Sequence, residues 1–144
     1  MARIQLKARD RYPFLTTLTV RTTDLNYGGH LGNDRLLSLI HEARVAFLAS
    51  HGFTELACGG VSLIMADATI AYRGEAFAGD ELDIGTAADE FGRLGFRLFH
   101  RVVRRADDAV IAPVETGMVG SDSDVRQPVA GATAVRDAVE DPAA

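Results

Sequence analysis

At 144 residues, with 47% hydrophobic and 24% charged side chains, the chain is long enough to bury a real core and too apolar for a disordered segment. Its net charge of −5 argues against a nucleic-acid partner, which needs a basic face, and no apolar run approaches the roughly 18 residues of a membrane span. The lone cysteine, Cys58, excludes an internal disulfide, and the charged start MARIQLKARDRYP lacks the apolar segment of a secretory signal, so the expected location is the cytoplasm.

Residues 1–12 are basic and irregular, and Pro13 marks the entry to a first strand, Phe14–Arg21, rich in Thr and Val. The loop from Asp24 to Asn33 has too much glycine and amide for a packed element. Asp34 to His51 then runs without Pro or Gly and reads as the longest helix, with Asn33 as its N-cap and Gly52 as the residue that ends it. At about 100° per residue, Leu36, Leu39, Ile40, Ala43 and Phe47 form the centre of an apolar stripe, with Leu37 and Leu48 at one edge. Arg35, Ser38, His41, Glu42 and Ala49 lie on the other side. Arg44 falls within the stripe's margin and must snorkel or find a carboxylate, for which Asp67 is the candidate.

After a linker over Thr54–Gly60, Val61–Arg73 is apolar on both faces apart from Asp67. Gly79-Asp80 makes a turn into Glu81–Ala88. In Leu94–Val103, Leu94, Phe96, Leu98, His100 and Val102 share one face, and Arg97 and Arg101 share the other. Ala106-Asp107-Asp108 turns the chain into a last strand, Ala109–Val119, where Pro113 predicts an edge position or a bulge. Residues 122–144 are rich in Ala and Asp and read as a loosely ordered tail, leaving one domain over 1–121. A strand, a helix and four strands joined by turns fit an antiparallel sheet with one helix packed on it.

Glycines ahead of a helix leave backbone N–H groups free to face a ligand oxygen at the positive helix end, a suitable place for chemistry on a carbonyl. On residue type alone, Asp24 is a base or a turn residue, and His30 is a general base or a loop-fixing donor. Glu42 reads as part of a solvated helix face. Four histidines without ligand spacing propose no metal site, and Cys58 has no matched base.

The pattern Arg21-x-x-Asp24-x-Asn26-x-x-Gly29-His30-x-x-Asn33, followed by Glu42-Ala43-Arg44 and Gly52, with Tyr72 and Gly79-Asp80 further on, resembles the hotdog-fold thioesterases of the 4-hydroxybenzoyl-CoA thioesterase type over roughly residues 13–120. The resemblance implies an α+β hotdog fold: a five-stranded antiparallel sheet wrapped around one long central helix. It also implies an acyl-CoA substrate, no metal or redox cofactor, and a homodimer or dimer of dimers with sites between subunits. In this family the second acidic residue of the loop is the nucleophile or general base, and here that position holds Asn26, an amide that can orient a group but cannot accept its proton. The implied site residues are therefore Asn26, His30, Glu42 and Asp24 for catalysis, with Gly29 and Asn33 around the carbonyl and Arg97 and Arg101 for the CoA phosphates. Glu42 lies ~13 Å along the helix from its start, so it would serve a partner's substrate. Two rival readings remain: a dehydratase or hydratase acting on 3-hydroxyacyl thioesters, and a non-catalytic acyl-CoA-binding dimer.

Overall fold

The computed structural model describes residues 1–122, 127–128 and 133–140. Five long strands and one long helix carry it: β1 (Phe14–Thr19), α1 (Asn33–Ser50), β2 (Ser62–Ile70), β3 (Glu81–Asp89), β4 (Gly95–Arg104) and β5 (Ala109–Asp122). A two-residue β6 (Gln127–Pro128) pairs with the end of β5, and a short α2 covers Thr133–Glu140. The sheet order is β1-β3-β4-β5-β2, antiparallel throughout.

The predicted apolar stripe holds α1 to the sheet: Leu36, Leu39, Ile40, Ala43 and Phe47 are all buried. Each fully buried aliphatic side chain of this kind contributes about 1.5–3 kcal/mol through removal from water. The helix ends as expected. Gly52 takes φ +80, a left-handed conformation that costs glycine little. This lets the N–H groups of Gly52 and Phe53 return to the carbonyls of Ala49 (3.0 Å) and Leu48 (2.9 Å). The start differs from expectation. Gly32 is the cap and Asn33 the first helical residue, with no side chain capping the end.

Two apolar clusters make up the core. One gathers Leu36, Ile40, Leu82, Ile84, Val102 and Val114 under the first half of α1. The other gathers Phe47, Leu48, Phe96, Leu98 and Met118 under the second half. On each central strand one polar residue occupies the inward position between them: Thr86 on β3, His100 on β4 and Thr116 on β5. His100 is 1% exposed, and its Nδ1 lies 2.9 Å from the Thr86 hydroxyl. Burial, reinforced by the nearby Arg44 charge, pushes its pKa down to about 3, so this imidazole is neutral in the fold.

Four expectations need correction. Arg44 pairs with Glu55 (Nε to Oε1, 3.1 Å), because the linker returns beneath the helix, and Asp67 turns instead to Arg97 on β4. Pro113 does not mark an edge, since β5 runs between β4 and β2. The nearby irregularity is a bulge: Val102 pairs with Ala112 and Val103 with Val110, so Ile111 has no partner on β4. The last strand extends to Asp122, three residues past its predicted end. Within the expected loose tail, Thr133–Glu140 is helical and buries Val135 in the second cluster, because that segment brings its own apolar contact. The parts of the tail at 123–126, 129–132 and 141–144 lie outside the described residues.

The sheet's two edge strands are β1 and β2, and β2 carries half-exposed Ile64 and Met65 and a bulge at Ala66.

Candidate active site

A short 3-10 turn, Thr22–Asp24, begins the loop that leads to α1. Asp24 is 2% exposed. Its carboxylate accepts the Arg21 N–H (2.9 Å) and meets the guanidinium at 3.2 Å and 3.1 Å, while its carbonyl accepts the Gly32 N–H (2.9 Å). The Arg21 hydrogen bonds hold the Asp24 carboxyl below the usual carboxylate range. The anion is already held by Arg21, and it is the Asp24 carbonyl that joins the loop's two ends.

Asn26 organises the loop between those ends. Its Oδ1 accepts the N–H groups of Gly28 (2.9 Å) and His30 (3.3 Å), and its own N–H reaches the His30 carbonyl (2.8 Å). Gly29 donates to the Asn26 carbonyl (3.1 Å), and Leu31 to the carbonyl of Ala76 (2.8 Å). Every backbone N–H from Gly28 to Gly32 therefore has an acceptor within the protein, Gly29 included. The N–H groups of Asn33, Asp34 and Arg35, in the first turn of α1, have none among the described residues. These groups carry the positive end of the helix dipole.

The turn opens onto a cavity of about 330 Å³. One wall is Asn26, His30, Gly32 and Asn33; the other is the Tyr72–Ala76 connection that follows β2, with Ile111 from the bulge. The Tyr72 hydroxyl donates to the Asn33 carbonyl (2.7 Å) and pins the two walls together. Burial, together with the charge of Asp34, raises the Tyr72 pKa, so the hydroxyl keeps its proton. The His30 ring stands 5.1 Å from that of Phe77, and its Nδ1 lies 3.3 Å from Glu75 Oε2, outside hydrogen-bond alignment. An imidazole, an amide whose NH2 has no partner among the described residues, and the first helical residue with its free N–H thus share one cavity. That set can polarise a carbonyl and move a proton beside it.

The structure brings Asn26, His30 and Asn33 together here and leaves other predicted residues elsewhere. Glu42 lies on the exposed face of α1, outside this cavity, without a hydrogen bond or ion pair among the described residues. Its neighbour His41 instead contacts Glu55 (2.9 Å) and lines a shallow hollow with Asp34, Ser38 and Met65 beside the β2 edge. Arg97 is paired with Asp67 (2.8 Å) and approaches Glu115 (3.6 Å). Gly117 makes that pair possible, because a Cβ there would sit 2.4 Å from Asp67 Oδ2. Arg101 stacks over Tyr12, 4.9 Å from the ring centroid. Cys58 is buried, and desolvation pushes its thiol up to about 11, which leaves it unreactive.

Sequence reasoning missed the Tyr72–Ala76 wall. Tyr72 was noted only through the resemblance, and nothing local in the sequence pairs Glu75 with a histidine 45 positions earlier.

Several solved structures share the fold of this chain. A 1,4-dihydroxy-2-naphthoyl-CoA thioesterase from Synechocystis superposes with a TM-score of 0.81 at 19% identity, covering 91% of this chain and 98% of the other. A gentisyl-coenzyme A thioesterase gives 0.74 at 22% identity, over 88% and 99% of the two chains. A probable thioesterase from Escherichia coli gives 0.65 at 20% identity, over 81% and 88%. A search of curated proteins returns no match. At these identities the structural likeness establishes the hotdog fold. The sequence pattern of one family spans residues 20–139, and the chain belongs to that family, the thioesterase-like superfamily.

Proposed function

We propose that this protein is an acyl-CoA thioesterase that hydrolyses an acyl or aroyl thioester with water at the start of α1. The observation that carries the reading is the shared cavity. Asn33 with its unengaged N–H, the Asn26 amide and the His30 imidazole converge there without any carboxylate in the position the family uses. The thioester oxygen is received by the N–H groups of Asn33, Asp34 or Arg35, each good donor lowering the barrier by ~3 kcal/mol. His30 takes the proton from an attacking water, with the Glu75 carboxylate 3.3 Å from its Nδ1 to favour the imidazolium that forms. The tetrahedral intermediate collapses, the carbon–sulfur bond breaks, and the imidazolium returns the proton to the departing thiolate. The products are a carboxylic acid and the free thiol.

The unpaired β2 edge, with Ile64 50% exposed and Met65 39% exposed, supports assembly as a homodimer or dimer of dimers. In such an assembly Glu42 reaches a thioester only from the partner subunit. No metal or redox cofactor enters, and CoA is part of the substrate.

Thiol release from a panel of acyl- and aroyl-CoA thioesters tests the reading. Wild type turns over at least one acyl class, and Asn26→Ala and His30→Ala each reduce it. If wild type releases no thiol but binds acyl-CoA, the protein is a binder. Formation of an enoyl thioester from 3-hydroxyacyl-CoA would make it a dehydratase. If Glu42→Ala rather than His30→Ala abolishes hydrolysis, the water is activated from across the interface.

A further inference from the structure

A second and larger cavity, about 520 Å³, abuts the first, and Tyr72 and Arg73 line both. Its other walls include Arg3, Ile4 and Gln5 of the N-terminal segment and Ile70 at the end of β2. Among the described residues, two guanidiniums line it and no carboxylate does.

Six other arginines meet carboxylates: Arg9 with Asp89, Arg21 with Asp24, Arg44 with Glu55, Arg97 with Asp67, Arg104 with Asp107, and Arg105 with Asp83. Arg3 and Arg73 meet only neutral oxygens among the described residues. Arg3 donates to the Tyr72 carbonyl (3.2 Å), and Arg73 to the Gln5 amide oxygen (3.4 Å). In a chain of net charge −5, two uncompensated guanidiniums beside one cavity form a local anion site. Continuity with the helix-start cavity makes that anion part of the molecule whose reacting end sits there.

We infer that Arg3 and Arg73 bind the phosphate groups of the nucleotide end of the thioester substrate, with its thiol-bearing arm passing Tyr72 into the helix-start cavity. The inference rests on the thioesterase reading and assigns its carrier. The phosphates lie at the cavity lined by Arg3 and Arg73 and not at Arg97 and Arg101 on the outer sheet face, where one guanidinium is already neutralised and the other covers Tyr12. Ile4, Ile70 and the Tyr72 ring offer apolar contact alongside the charges.

Two readouts test this. The first is calorimetric binding of adenosine 3′,5′-bisphosphate and of CoA to wild type, to an Arg3→Gln/Arg73→Gln variant, and to Arg105→Gln, which removes a charge from the far side of the sheet. The second is the ratio of kcat/KM for one acyl group carried on CoA to that for the same group on N-acetylcysteamine, which has no nucleotide. The double variant weakens both nucleotides at least about tenfold and lowers the ratio by a similar factor, whereas Arg105→Gln binds as wild type does. Equal nucleotide binding by wild type and double variant overturns the inference. So does an equal loss on both thioesters, which would make the arginines merely structural. If wild type hydrolyses neither thioester yet binds the bisphosphate through Arg3 and Arg73, the inference stands and the thioesterase reading falls.

Discussion

Two polar regions of this molecule look alike in composition and differ in how far their groups are satisfied. On the outer sheet face, charges close on one another: Arg97 with Asp67, Arg105 with Asp83 and Glu81, and Arg9 with Asp89. At the junction of loop and helix, Asp24 and the Asn26 oxygen are used to build the loop, while three backbone N–H groups, the Asn26 NH2 and the His30 Nδ1 are left without hydrogen-bond partners among the described residues. A satisfied network holds structure together, and a region with unfilled hydrogen-bonding capacity is where a substrate gains from binding. The lesson for Arg97 is direct. Its residue type suited a phosphate, but its tertiary partner had already claimed it.

The comparison can be broken most forcefully at His30. His30→Ala is expected to reduce thioester hydrolysis by about 10²–10⁴-fold at constant fold, read as kcat on the best substrate of the panel. Retained turnover would remove the imidazole from the chemistry.

Acid titration of stability probes the neutral histidine in the core. Unfolded, His100 takes a proton near the ordinary pKa of 6.5; folded, it stays neutral down to about 3. Between those values the unfolded chain binds more protons, so stability falls as pH drops from 6.5 toward 3. The carboxylates that Arg partners hold low, such as Asp24 and Asp67, add their own loss further into acid. Urea unfolding of wild type and His100→Leu across this range should show a flatter upper limb for the variant. Parallel curves would mean that His100 does not titrate this way.

Asp24→Asn sharpens the distinction between building and reacting. It removes the anion from a buried position with three Arg21 contacts, and a cost of about 1–3 kcal/mol in unfolding free energy is expected. An intact stability with lost turnover would instead make Asp24 a participant. At the other end of α1, Gly52→Ala should cost about 1 kcal/mol, because alanine must hold the φ of +80. Arg97→Ala, on the satisfied face, should cost only about 0–1 kcal/mol and leave KM for CoA thioesters within about twofold. A tenfold rise in KM would return the phosphates to that strand.

What the sequence carried and what it hid divide along the same physical line. The helix, its buried stripe and the Gly52 stop follow from periodicity and backbone freedom, which are local. The alternation of Phe96, Leu98, His100 and Val102 likewise placed them all inward. The candidate residues Asn26 and His30 were legible because loop and helix are contiguous in the chain. The opposite wall was not, since the Tyr72–Ala76 connection reaches it only after β2 has crossed the sheet. Nor could spacing show that Glu55 would take Arg44, or that the basic first residues would lie beside Tyr72. Partner choice among charged side chains is decided by tertiary packing, and patterns of residue type do not contain it.

The most direct test is a structure of the protein with a non-hydrolysable thioether analogue of acyl-CoA, in which one methylene separates the carbonyl from the sulfur. The carbonyl oxygen is expected at about 3 Å from an N–H of Asn33, Asp34 or Arg35, with His30 facing the same carbon. A carbonyl seated elsewhere, against the outer sheet face or in the hollow beside His41, would contradict it.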